Sequence, residues 1–265
     1  SIEKETYYFV DEGTHMYRGH DHVNDGMNRY TKYFPVSDDT SPRVILEATP
    51  SYMYYDTALE FIPKLETKRK CLFVLREPSA QIYSLYRYFK QNWSWIPNDM
   101  TFATYLSLIR DKKGDFKGNE LAKNALDYAR YVEYLIKWRE QLGSERMMVR
   151  TFDELLSNKT ELTKSVANWV GLDPGFYDSY HFPNDNETYE ARNVLLQSLN
   201  IAVRGKLPKG SLYKAVRAIY RRLNTKKATS VPEVDKLLLK ALKREFALAN
   251  HQLSNEFDLD LTGWE

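Results

Sequence analysis

The sequence predicts an α/β fold: a parallel sheet flanked by helices, with a helical C-terminal extension. Three observations lead there. Short apolar runs recur along the first two thirds of the chain, and each is followed by a stretch with helical spacing. No strand pattern returns after position 175. The 265 residues suffice for one domain with a single sizeable core. The expected organisation is one domain over 1–265, with the α/β core at 1–174 and the extension at 175–265.

In chain order, Tyr7-Tyr8-Phe9-Val10 is a strand end or a packed loop. Asp11 to Asp25 is polar, with Gly13, Gly19, His15, His20 and His22, and reads as a mobile loop with exposed histidines. Asp38 to Pro42 is a turn before the first strand, Val44-Ile45-Leu46-Glu47. The second strand is Cys71-Leu72-Phe73-Val74-Leu75 and the third is Met147-Met148-Val149. Between the last two, Leu121 to Leu142 has helical spacing, with Tyr128, Tyr131, Leu135 and Trp138 on one face. Phe152 to Val170 is a helix stopped by Gly171 and Pro174. Ala191 to Leu223 is helical and basic, interrupted at Leu207-Pro208-Lys209-Gly210. Lys226 to Ser230 is a linker. Pro232 to Leu253 is an amphipathic helix with Ser230 as its cap and proline in its first turn.

Composition excludes several classes. The formal net charge is +2, so an anion site must be local. The single cysteine, Cys71, rules out an internal disulfide, and no cysteine–histidine cluster points to a metal. That usage suits a reducing compartment, so the expected setting is cytoplasmic, with the Golgi lumen as the alternative. No apolar run reaches membrane-spanning length, and no signal-peptide pattern opens the chain. Ser1 to Glu5 leads at once into an apolar run, so the expectation is a chain that starts inside a longer gene product.

The most informative segment is Phe73-Val74-Leu75-Arg76-Glu77-Pro78-Ser79-Ala80-Gln81-Ile82-Tyr83-Ser84. A buried strand ends at Leu75, which places Arg76 at the carboxyl edge of the sheet, where ligands of open α/β folds bind. Pro78 suits the first turn of a helix. Ser84 lies two turns further, on the side facing the Arg76 end. A guanidinium fork and a hydroxyl converging there make a phosphate clamp.

This segment resembles the 3′-phosphate-binding motif of sulfotransferases, which use 3′-phosphoadenosine 5′-phosphosulfate. Arg76, Pro78 and Ser84 match it; Gln81 stands where many members carry a second arginine. Other segments resemble the same family in order: Leu46 to Tyr52, the helix Tyr131 to Trp138, Glu145 to Leu156, and Trp169 to Leu172. The match is looser from Asn186 to Arg192. The resemblance implies a P-loop-type α/β fold and in-line transfer of a sulfuryl group to an acceptor hydroxyl or amine, with no metal required. Lys4-Glu5-Thr6-Tyr7-Tyr8-Phe9 resembles the heparan-type opening whose glutamate is the general base, which makes Glu5 the matching residue. Tyr7 stands where that family often has histidine; a phenol orients an acceptor but is a poor base at neutral pH. Ala48 replaces a family lysine, which weakens the case for a highly sulfated acceptor. Tyr52, Tyr54 and Tyr55 are expected to give a neutral aromatic surface, suited to a lipid, a carrier-bound chain or a simple sugar. Arg192 is the candidate for a second phosphate contact.

Sulfotransferases also carry a loop with lysine, glycine and threonine or serine that cradles the 5′-phosphosulfate at a helix start. No such loop occurs in these residues. The expectation is that an upstream segment supplies it; the alternative is a relative that binds a nucleotide or glycan without turnover. A kinase-like group transferase is the other enzymatic alternative, but no acidic metal site follows a strand. The basic stretch 204–227, from Arg204 to Lys227, is read first as an amphipathic surface helix. Its functional alternatives are docking to an acidic carrier protein or an anionic surface. Nucleic acid is not expected, since no reading motif accompanies the charge.

Overall fold

The computed structural model describes residues 1, 3, 5–35, 44–182, 189–191, 193, 196, 220, 223–227 and 230–264. Its centre is a parallel pair, β1 (Cys71–Leu75) and β2 (Met147–Thr151), in the register Cys71↔Met147 to Leu75↔Thr151. Before β1 lie α1 (Met27–Tyr30) and α2 (Asp56–Phe61). The crossover to β2 is helical: α3 (Pro78–Tyr88), α4 (Phe102–Arg110), α5 (Glu120–Lys123), α6 (Ala125–Tyr128) and α7 (Tyr131–Leu142). After β2 come α8 (Phe152–Ser157) and α9 (Lys159–Trp169), a short antiparallel pair β3 (Tyr189–Ala191) and β4 (Thr225–Lys227), and the long α10 (Glu233–Phe257).

One face of the sheet is buried and the other is not. Phe73, Leu75, Val149 and Thr151 point into a core built from Tyr8, Phe9, Val10, Tyr52, Tyr55, Leu135, Trp138 and Trp264. Leu72 and Val74 point the other way and stay 40% and 43% exposed. Parallel sheets are normally covered on both faces, so among the described residues this outer face is bare. A second core lies on the far side of α3, where Ile82, Tyr86 and Phe89 meet Phe102, Tyr105, Leu106, Leu242 and Phe246. Through Leu242, Phe246 and Leu253, spaced for one helical face, α10 reaches both cores.

Several elements differ from the sequence reading. Val44 to Glu47 forms no ladder, and Ile45 and Leu46 are 54% and 70% exposed. Of the two readings of Tyr7 to Val10, the packed loop is the one seen, with Tyr8, Phe9 and Val10 fully buried outside any strand. The expected helix Leu121–Leu142 is three helices, broken where Asn124 (φ −103°, ψ 20°) and Arg130 (φ −85°, ψ 61°) leave helical backbone. The expected helix Phe152–Val170 is two, because Asn158 adopts φ −146° and caps the second through its side chain. Gly171 (φ 80°) ends it as expected, in the left-handed region that glycine tolerates. Strands β3 and β4 fall where only helices and a linker were expected. Ser230 does not cap α10; Pro232 holds the N-cap position without a side-chain bond. The Asp38–Pro42 turn lies outside the described residues, as does most of Ala191–Leu223.

Segment 11–25 is folded rather than loose. Asp11 accepts the N–H groups of Thr57 (2.8 Å) and Asp56 (3.2 Å) at the start of α2. His22 is buried, with Nε2 against Val10 O at 2.8 Å. His15 is bound to Glu120 and Asn119. Only His20 of the three is exposed.

Candidate functional site

The site begins where β1 ends. Leu75 is buried, and Arg76 follows at the carboxyl edge of the pair. Glu77 then caps α3: its carboxylate accepts Ser79 N–H (2.9 Å), Ser79 Oγ–H (2.6 Å) and Ala80 N–H (2.8 Å). Pro78 has no N–H to satisfy and fits the first turn. Arg76 is half-buried, with its guanidinium 5.5 Å from the centre of the Phe152 ring. Its backbone N–H meets the Tyr131 hydroxyl, while its guanidinium has neither a hydrogen bond nor an ion pair among the described residues. A half-buried cation without a carboxylate partner is unusual, because desolvating it goes uncompensated. Ser84 is also half-buried and makes no side-chain hydrogen bond among the described residues. Helical geometry returns it to within about 20° of Glu77 around α3, and roughly 10 Å along the axis.

A second group of residues comes from the chain start. The Tyr7 hydroxyl donates to Glu5 Oε2, and both side chains are half-buried. Burial first, and then the Glu5 carboxylate that accepts its proton, push the Tyr7 hydroxyl above its usual range. Tyr7 holds a left-handed backbone (φ 55°), a costly conformation for a bulky residue. Such strain costs about 1–3 kcal/mol, and full burial of Tyr8, Phe9 and Val10, at roughly 2 kcal/mol each, offsets it. Lys4 lies outside the described residues.

Glu47 completes this group, and sequence reasoning did not single it out. Its Oε1 accepts Thr6 N–H (3.3 Å), Thr6 Oγ1–H (3.0 Å) and Thr49 Oγ1–H (2.5 Å). Burial raises its carboxyl despite these bonds, and the charge of Glu5 adds to the rise. The apolar run before it and the threonines around it were the available signal. Tyr52 is 7% exposed, and its hydroxyl accepts Tyr8 N–H (2.7 Å) and Phe9 N–H (3.3 Å). Tyr55 is buried too, and Tyr54 stacks on Tyr128 at 4.2 Å. The neutral aromatic surface expected from these three tyrosines is therefore corrected: they are packing residues, and Tyr52 braces the Thr6–Phe9 turn.

Tyr88 lies one turn beyond Ser84 on the same face of α3, is 45% exposed, and is near enough to Tyr7 to raise its pKa. Beyond Tyr88 the helix widens into a π turn at Phe89–Trp93, closed by Ser94 in left-handed backbone (φ 52°). Single π turns favour functional sites. Stacked Trp93 and Trp95, 5.0 Å apart, follow it.

Two of the three histidines of segment 11–25, His15 and His22, are committed to structural contacts. Asn119 commits its Oδ1 to Ala122 N–H (2.8 Å) as the cap of α5, so its amide N–H points at His15 Nε2 (2.9 Å). His15 therefore accepts at Nε2 and donates from Nδ1 to Glu120 (2.7 Å). Burial raises the Glu120 carboxyl, but bonds from His15 and from the Tyr55 hydroxyl (2.5 Å) outweigh it and bring it down to about 2. Both ring nitrogens of His15 are engaged, and the pair latches segment 11–25 to α5. Arg192 lies outside the described residues, as does the 204–227 stretch apart from Tyr220 and Leu223 to Lys227. Among the described residues no group of three or more His, Cys, Asp or Glu side chains is placed to hold a metal, and no helix is long and apolar enough to cross a membrane.

No protein-family model matches the chain, and no curated protein matches its sequence significantly. Among solved structures, the fold matches the crystal structure of a sulfotransferase from Alicyclobacillus acidocaldarius, with a TM-score of 0.63 at 14% identity. The match covers 99% of this chain and 86% of that one. The architecture that places Arg76, Ser84 and Glu5 is thus a sulfotransferase-like α/β fold.

Proposed function

We propose that this protein is a sulfotransferase that moves a sulfuryl group from 3′-phosphoadenosine 5′-phosphosulfate to an acceptor hydroxyl or amine. The observation that carries the reading is Arg76: a half-buried guanidinium, unpaired among the described residues, at the carboxyl end of a parallel strand. It stands on a fold that matches a sulfotransferase. In this reading Arg76 and Ser84 grip the 3′-phosphate of the donor, with Arg192 as a further contact.

Glu5 is the general base. It takes the acceptor proton as the acceptor oxygen or nitrogen bonds to sulfur and the sulfur–oxygen bond to the nucleotide phosphate breaks. Tyr7, donating to Glu5, orients that carboxylate, and Tyr52 holds the turn that carries both. Glu47 is the other carboxylate within reach, and its raised carboxyl suits proton transfer.

The test is sulfate transfer by the full-length protein, followed with labelled donor across a panel of neutral acceptors. Glu5→Gln should leave donor binding unchanged and slow transfer about a hundred-fold, the usual weight of a general base. Near-normal turnover in that variant, with loss in Glu47→Gln, would move the base to Glu47. Donor binding without transfer to any acceptor would favour a binding protein instead.

A further inference from the structure

We propose that Glu77 and Ser79 form a device that keeps Arg76 available to phosphate, and that Ser79 and Phe152 are positioning residues of the donor site. The proposal rests on the reading of Arg76 as a phosphate ligand. The chain places a carboxylate immediately after that arginine, and a half-buried guanidinium draws a neighbouring carboxylate strongly. Paired in that way, Arg76 would be neutralised before any nucleotide arrived. Instead Glu77, 8% exposed, is turned onto α3. Its Oε1 accepts Ser79 N–H, and its Oε2 accepts both Ser79 Oγ–H and Ala80 N–H. The positive end of the helix dipole favours the carboxylate there.

Two consequences follow for a phosphate. The first N–H groups of α3 are already engaged by Glu77, and Pro78 has none. The helix N-terminus therefore offers no ready anion seat, and recognition falls to side chains. Arg76 is meanwhile held from beneath by the Phe152 ring. That ring is fixed in turn: Trp264 Nε1 donates to Asp153 Oδ2 at 2.9 Å, and Thr151 and Glu154 close a capping box at the start of α8.

Ser79 is the residue that decides. The backbone donors to Glu77 remain whatever occupies position 79. The hydroxyl, at 2.6 Å the shortest of the three contacts, exists only with serine or threonine. Without it, Glu77 Oε2 loses that bond and the carboxylate gains by rotating onto Arg76.

The experiment is calorimetric titration of the full-length protein with adenosine 3′,5′-bisphosphate and with adenosine 5′-phosphate. The ratio of the two affinities is the readout. Ser79→Ala should cut the preference for the bisphosphate about ten-fold, the scale of one hydrogen bond to a charged group. Ser79→Thr should keep it. Ser79→Ala combined with Glu77→Gln should restore it, because a neutral amide does not neutralise the guanidinium. A purely structural role would leave the double variant no better than Ser79→Ala. An undiminished preference in Ser79→Ala, or no recovery in the double variant, overturns the proposal while Arg76→Ala still abolishes the preference. A preference that survives Arg76→Ala overturns the phosphate-ligand reading, and this proposal with it.

Discussion

Replacing Glu120 with glutamine tests the latch that holds segment 11–25. The carboxyl falls from 4.5 to about 2 because His15 and Tyr55 donate to it, against the opposing effect of burial. A pKa lowered by folding stabilises the native state above the unfolded value, and that stability is lost as pH falls through the folded one. The window here runs from about 4.5 down to about 2. Linkage makes the ionised Glu120 worth about 3 kcal/mol at pH 7 and only about 1 kcal/mol at pH 3. Glutamine carries no such term. Urea unfolding of wild type and Glu120→Gln should therefore show a stability gap that narrows by roughly 2 kcal/mol between pH 7 and pH 3. A gap of equal size at both pH values would refute the reasoning, because it would mean that only uncharged packing had been lost.

Other substitutions bear on single contacts. Tyr52→Phe leaves Phe9 N–H without its acceptor and Tyr8 N–H with only its long contact to Thr6 Oγ1 (3.4 Å), and should cost about 1–3 kcal/mol in thermal or chemical unfolding. It should do so with donor affinity unchanged. Phe152→Leu removes the ring under Arg76 and should weaken adenosine 3′,5′-bisphosphate about three-fold by calorimetry, the value of an exposed cation–π contact. Phe152→Tyr should restore it. Tyr7→Phe removes the donor to Glu5; sulfate transfer should slow about ten-fold, on the scale of one hydrogen bond to a charged group, with donor binding intact.

The parts of the fold legible in the sequence were those with strong local signals. Cys71–Leu75 and Met147–Val149 are dense apolar runs, and they lie in the two strands that pair. The end of β1 and the start of α3 follow from Leu75 and Pro78 alone, and the Glu77 cap was seen only in the structure. Val44–Glu47 carries the same apolar signal, but a strand needs a ladder partner and none meets it among the described residues. Helix breaks at Arg130 and Asn158 were hidden because apolar periodicity runs on across them, while the break lies in one residue's backbone. The histidines of segment 11–25 look like loop residues because their partners, Glu120, Asn119 and Val10, are set by tertiary contact. For the same reason the tyrosines after Pro50 gave no sign of being packed inward. Glu5 and Arg76 were legible only through the family resemblance and the strand-end position, and Glu47 only once the Thr6–Tyr52 network was visible.

The most direct test of the whole account is a crystal structure of the full-length protein with adenosine 3′,5′-bisphosphate. The expected result is a 3′-phosphate hydrogen-bonded to the Arg76 guanidinium and to Ser84 Oγ, with Glu77 still on the N–H groups of α3. A nucleotide bound away from the end of β1, or an Arg76 turned onto Glu77 with the phosphate touching neither residue, would contradict it.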